Sequence, residues 1–213
     1  MIGQAVVAYR KLQMDMIDKL SVGSENVIDE VPFFDEGYIF TQIERLKKKY
    51  ENVSRELKIS EELNEQSDYE VAKREKLKKM LEKTELKIVY LSLNSFKSLE
   101  MCRKLVKGKD YKVTCLLQAL EFYHNKDEKN AEEQFEQYFA DNLLNSGYYL
   151  GNKIFGTLLF RKGETKRALQ HLECAVQFNI NDLELLSLMQ EAYEKLGLVF
   201  EKEIVSEVIG ILK

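Results

Sequence analysis

The chain has 213 residues, 45% of them hydrophobic and 32% charged, which is apolar content enough for a core that needs neither disulfide nor metal support. Its 32 Lys and Arg stand against 36 Asp and Glu, a formal charge of −4, and segments of about fifty residues come out near neutral or slightly acidic. Sequence-independent nucleic-acid binding draws on a basic face that releases counterions, so this balance argues against DNA or RNA as the main partner.

One proline, Pro32, and ten thinly spread glycines leave little to break helices, and strand-like alternation of apolar and polar residues is absent. The expected fold class is therefore all-α. A first helix is expected from about Gln4 to Leu20, with Val6, Tyr9, Leu12, Met16 and Leu20 along one face. Residues 21–37 read as a loop that holds Gly23, Pro32 and Gly37, with Phe33 and Phe34 placed to pin it to a core.

From Ile39 the apolar positions run Ile39, Ile43, Leu46, Tyr50, Val53 and Leu57 in alternating steps of four and three, the seam of a coiled coil. The seam stops around Asn64 to Ser67 and resumes after Asp68 as Leu77, Leu81, Thr84, Ile88 and Leu91. Two such helices joined by a short polar turn predict an antiparallel coiled-coil-like hairpin. Each arm should be about 40 Å long at 1.5 Å per residue. A further stripe, Leu86, Val89, Leu93 and Phe96, makes the end of the second arm apolar on two sides. The first helix has the length and stripe to cover that side, giving a three-helix base from which the charged tip projects. The segment holding Gly108 marks the boundary, so the expected domains are 1–108 and 109–213.

Gly163 and Gly197 lie 34 residues apart within the same apolar frame. The repeat over 149–182 carries Phe155, Gly156, Leu159, Gly163, Ala168, Leu172 and Ala175. The preceding one, about 112–145, has Ala119, Phe122, Ala131, Phe135 and Tyr138 at matching places, with Lys126 where the turn glycine would be. A third begins near Leu183 and keeps Tyr193 and Gly197, but has Lys202 where a small residue is expected, so it reads as a terminal cap. On these residues the C-terminal half, roughly 112–213, resembles the tetratricopeptide repeat family, whose period is 34 residues. The family's proline between repeats is absent, with Leu143 and Ile180 at those positions.

The resemblance implies a short α-solenoid of about three helix pairs, with Gly156 and Ala168 allowing the helices of a pair to approach. It also implies a groove, lined by the first helix of each pair, that holds another protein chain. The family's groove positions fall on Leu116, Leu120, Tyr123 and His124 in the first repeat, Lys153, Thr157, Phe160 and Arg161 in the second, and Ser187, Glu191 and Glu194 in the third. Such a groove is apolar at one end and acidic at the other. Of the cations with which some members clamp a C-terminal carboxylate, only Lys153 stands suitably, which disfavours chaperone tails as ligands. An apolar groove suits an amphipathic helix or a hydrophobic segment; the alternative is that the protein's own helices fill it.

Chemistry is sparsely represented. Cys102, Cys115 and Cys174 are odd in number and widely spaced, which fits reduced, buried thiols better than a disulfide framework. His171 and Cys174 stand at i and i+3, but two ligands are too few for zinc and no second pair exists. Phosphate-cradling glycine loops, nucleophile elbows and paired carboxylates in a loop are absent, so no enzyme activity, cofactor or metal is expected. Glu61, Glu62, Glu132 and Glu133 read as solvated helix faces. The basic clusters at 45–49, 73–79 and 103–112 are interleaved with acids such as Glu44, Glu51, Glu75 and Glu82, as in surface i,i+4 pairs. The rival reading of those lysines is contact with anionic lipid or a nucleic-acid backbone.

The first twenty residues lack both a basic leader and an uninterrupted apolar run, so no integral membrane segment and a cytoplasmic site are expected. A leader removed upstream would leave the same sequence, which keeps a cell-envelope or periplasmic place open. Richness in Lys, Glu, Asn and Ile suggests a low-GC bacterial source. The resulting expectation is a non-enzymatic adaptor or chaperone-like scaffold that binds a partner protein through the groove, the hairpin or both. Analogy with the family points to cell-envelope or virulence-related assembly. Two other classes compete with it: a nucleic-acid-binding regulator, and a structural homodimer paired through the hairpin seams.

Overall fold

The computed structural model describes residues 36–63, 67–107, 113–141 and 148–213. Among them every regular element is helical, as the scarcity of breakers dictates. They divide into two compact units, one over Glu36–Asp110 and one running from Tyr111 to Lys213. The helix expected at 4–20 and nearly all of the loop after it lie outside the described residues.

The first unit is built on α1 (Glu36–Glu62) and α2 (Asp68–Ser92), packed side by side. Ile39, Ile43 and Val53 from one seam and Leu77, Thr84, Ile88 and Leu91 from the other are buried, so the seams satisfy each other within one chain. Near the turn, Ser60 Oγ donates to Glu70 Oε2 at 3.0 Å and Lys78 Nζ lies 3.4 Å from Glu61 Oε1, which fixes the antiparallel sense. Ser67 caps α2 by accepting from the Glu70 amide at 3.3 Å, satisfying one of the donors a helix start leaves free. At the other end α1 begins at Glu36, so Gly37, expected in the loop, sits in its first turn.

The apolar stripe of the second arm continues to Phe96, yet α2 ends at Ser92. No glycine or proline stands at the break. Side chains replace the helical bonds there: Asn94 Nδ2 donates to the Tyr90 carbonyl at 2.8 Å, and Ser98 Oγ bridges the carbonyls of Ser92 and Ser95 at 2.9 and 3.0 Å. A 3-10 turn over Phe96–Ser98 then leads into α3 (Leu99–Val106), whose Leu99, Cys102 and Val106 are buried and which packs against α2. Among the described residues, α3 therefore covers the second side of α2 that the sequence assigned to the first helix. Val89 and Leu93 are buried, whereas Leu86 remains 45% exposed.

The second unit is a run of six helices: α4 (Thr114–His124), α5 (Glu128–Asp141), α6 (Tyr149–Arg161), α7 (Thr165–Val176), α8 (Leu183–Leu196) and α9 (Val199–Leu212). They pack as consecutive pairs, α4 with α5, α6 with α7 and α8 with α9, and each pair touches the next. The starts of α6 and α8, and of α7 and α9, recur at the 34-residue spacing of Gly163 and Gly197. Each pair turns in the same way. Lys126, Gly163 and Gly197 hold positive φ values of 64°, 88° and 70°, and the amide of the residue directly after each donates back to a carbonyl five residues earlier: Asp127 to Phe122, Glu164 to Leu159, Leu198 to Tyr193. This is the Schellman closure of a helix C-terminus, made in the first pair by a lysine in the left-handed region.

Gly156 is where α6 and α7 come closest. A Cβ there would lie 2.8 Å from Leu172 Cδ2 and 3.1 Å from the Ala168 carbonyl oxygen. Phe155, Leu159, Ala168, Leu172 and Ala175 are fully buried around it, each large apolar side chain contributing about 2 kcal/mol. Phe135 and Phe139 stack on Phe155, with centroids 5.4 and 5.3 Å apart, joining α5 to α6. The same joint carries ion pairs outside: Glu128 with Arg161 at 2.8 Å, Glu132 with Lys162, and Glu136 with Arg167 at 2.8 Å. Glu132, expected to be solvated, is thus one rung of a ladder between pairs.

Candidate functional site

The residues carried over to the groove belong to α4, α6 and α8, and the structure separates them into core and surface. Leu116 and Leu120 are fully buried. Leu116 lies against Gly151 of α6, where an added Cβ would stand 2.8 Å from its Cδ1; the absence of a side chain on the second helix draws the leucine inward. The apolar end of the expected groove is therefore withdrawn into the core. Phe160 is also buried, with Lys195 Nζ 3.9 Å from its ring centre, a cation–π contact. These three residues offer no anchor site for an incoming apolar segment.

Lys153 is committed as well. Its ammonium lies 2.8 Å from Asp182 Oδ2 and 2.6 Å from Glu184 Oε2, while Tyr149 donates its hydroxyl to Asp182. Asp182 in turn caps α8, accepting from the Leu185 amide at 3.0 Å. Burial alone would lower the Lys153 pKa, but the two carboxylates outweigh it and hold it above the ordinary value. Burial likewise acts to raise Asp182, and the bonds from Lys153, Tyr149 and the Leu185 amide bring it below the usual carboxylate range. The Tyr149 phenol is pushed far up, by burial first and by Asp182 second. At neutral pH this cluster, one ammonium against two carboxylates, joins α6 to α8 and leaves Lys153 with no charge to offer a ligand.

What remains accessible on the first-helix face is polar. Thr157 is half-buried and donates to the Lys153 carbonyl at 2.7 Å. Tyr123 is half-buried and His124 exposed. Arg161 is exposed and paired with Glu128. Ser187, Glu191 and Glu194 are exposed on α8; Ser187 donates to the Leu183 carbonyl at 2.7 Å and Glu194 lies 2.9 Å from Lys202. The acidic end expected from the sequence is thus present as surface, and the apolar end is not.

Among the described residues the two histidines and the half-buried Cys174 thiol form no metal-binding cluster. His171 is buried between α6 and α7, its Nδ1 2.9 Å from Asn152 Oδ1, with the Phe139 and Phe155 rings at 4.5 and 4.8 Å. Burial, assisted by Arg167, lowers its pKa to about 4. Burial raises Cys174 to about 11, with help from Glu173, so the thiolate that would act as nucleophile or ligand is disfavoured. Among the described residues no three His, Cys, Asp or Glu side chains converge on a point that could hold a metal, and no helix is long and apolar enough to cross a membrane.

Two surfaces lie outside the groove positions, one on the basic cluster at 73–79 and one that the sequence reading did not single out. On α2, Ala72, Glu75, Lys76, Lys79, Met80 and Lys83 line a shallow open groove of about 370 Å³. On α9, Phe200 and Ile211 are 70% and 57% exposed, although a terminal helix of a stacked array ordinarily turns a polar side outward. The signal for the second was present, since Phe200 and Ile211 stand eleven residues apart on one helical face, but periodicity does not say which of two apolar faces a helix buries. Scans against family models, curated proteins and solved structures returned no match for this chain.

Proposed function

We propose that this chain is a non-enzymatic adaptor or chaperone-like scaffold whose six C-terminal helices are tetratricopeptide-like and hold a partner protein on the face formed by α4, α6 and α8. The observation that carries the reading is the threefold helix–turn–helix unit with an identical left-handed closure at Lys126, Gly163 and Gly197. Stacked pairs of this kind present a continuous face to a ligand. With Leu116, Leu120 and Phe160 withdrawn into the core, the accessible part of that face is acidic and hydroxylic. The partner it suits is a polar or basic segment, not the amphipathic helix that an apolar groove would take.

The test is affinity capture from native lysate with the whole chain beside Ser187→Arg/Glu191→Lys, both exposed positions, and beside Glu133→Lys, a charge change on exposed α5 surface. Circular dichroism checks that all are folded. A partner held by the chain and by the Glu133 variant, but lost by the α8 variant, is the expected result. Equal capture by all three removes the α4, α6 and α8 face as the working surface.

A further inference from the structure

We infer that this chain self-associates, α9 of one copy lying antiparallel on the exposed face of α2 of a second, and that the exchange is reciprocal about a two-fold axis. The inference stands whether or not the α4, α6 and α8 face holds a partner.

The charge of the chain is unevenly placed. Residues 36–110 hold 18 Lys and Arg against 14 Asp and Glu, while 111–213 hold 11 against 16, so the near neutrality of the whole conceals a basic unit and an acidic one. Within the basic unit, Lys73 and Lys78 of α2 are paired with Glu70 and Glu61. Lys76, Lys79 and Lys83 lie along one exposed stripe of the same helix, and none of them forms an ion pair among the described residues. Met80 forms the floor of their groove and Leu86, 45% exposed, continues the stripe. In the acidic unit, α9 exposes Phe200, Glu203, Glu207 and Ile211, and neither glutamate forms an ion pair among the described residues.

The two stripes match in register. Read forward, the α9 positions are separated by three, four and four residues. Read backward, α2 offers Leu86, Lys83, Lys79 and then Glu75 and Lys76 at the same steps. Laid antiparallel, Phe200 meets Leu86, Glu203 meets Lys83, Glu207 meets Lys79, and Ile211 falls on the alkyl stems of Glu75 and Lys76 beside Ala72. At 1.5 Å per residue each stripe is about 16 Å long. Gly210, with open space around it, leaves room where Lys76 would pass. Opposite charges flanked by apolar ends give both attraction and register. A single contact between two helices falls short of the roughly 1,200 Å² that specific interfaces bury; a two-fold pair makes the contact twice and closes on itself.

Sedimentation velocity and light scattering on the full chain, with increasing concentration at low salt, test this directly. The expected species is a dimer of twice 25.0 kDa, with Lys79→Glu/Lys83→Glu and Glu203→Lys/Glu207→Lys each weakening association at least about tenfold. All four positions are exposed, and circular dichroism verifies that the variants fold. Both reversals placed in one chain restore the dimer. A chain that stays monomeric throughout, one that grows into larger open assemblies, a dimer indifferent to either reversal, or one not regained in the combined variant would each overturn the inference.

Discussion

Among the described residues His171 has one hydrogen-bond partner, Asn152, and two aromatic neighbours, and its tautomer follows from the partner. Asn152 Nδ2 donates to the Tyr148 carbonyl at 3.0 Å, which leaves its Oδ1 as acceptor and places the proton of the neutral imidazole on Nδ1. A second proton would have to sit among phenylalanine rings. The unfolded chain binds that proton near pH 6.5 and the folded chain only near pH 4. The folded state is therefore undiminished above pH 6.5, loses stability as pH falls below it, and has lost about 3 kcal/mol from this group by pH 4. Urea unfolding from pH 7 to 4.5 should show that slope, and His171→Gln, which can still donate to Asn152, should remove its share of it. Lys126 is the other residue held against its preference: with φ at 64° it sits where a Cβ costs about 1 kcal/mol. Lys126→Gly should raise the melting temperature by about 3 °C, the gain being partly offset by the freedom glycine adds to the unfolded chain; a fall on calorimetry would mean that the lysine side chain makes up the difference.

At the scale of elements, the joint between α6 and α8 depends on Asp182, which at once caps α8, accepts from Tyr149 and neutralises Lys153. Asp182→Ala removes the cap and leaves a largely buried hydroxyl without its acceptor, so a loss of about 2–3 kcal/mol is expected in urea titration. Adding Lys153→Met should recover part of it, because an ammonium half out of water is then no longer left short of charge. None of this was legible beforehand, since Lys153 and Asp182 are 29 residues apart and no local pattern joins them. The helices themselves were legible: the steps of four and three from Ile39 and again from Leu77 report burial on one face, and burial is what makes such a helix stable. The end of α2 was not, because Asn94 and Ser98 break it by hydrogen bonding, without the glycine or proline that marks a stop in sequence. Leu116 and Leu120 show the same limit at the candidate site. Their spacing identifies an apolar face, but it takes Gly151 on another helix to let Leu116 pack inward.

At the scale of the whole molecule, the chain consists of two compact units, each with its own buried core. A change confined to one core should be felt by that unit alone. Gly156→Ala pushes a methyl against the Ala168 carbonyl, a backbone atom that cannot swing aside, at a cost of about 2 kcal/mol. Calorimetry should resolve two transitions, with the variant lowering one by about 10 °C and leaving the other in place; a common shift of both would show a single cooperative body. The order of the six C-terminal helices has one more consequence. Each packs mainly on its neighbour in the chain or the next but one, so no long loop has to close before stabilising contacts form. Folding of this unit should therefore be fast, in milliseconds or less. It should start at α6 and α7, where the aromatic cluster and the close approach at Gly156 lie, and spread outward to α9.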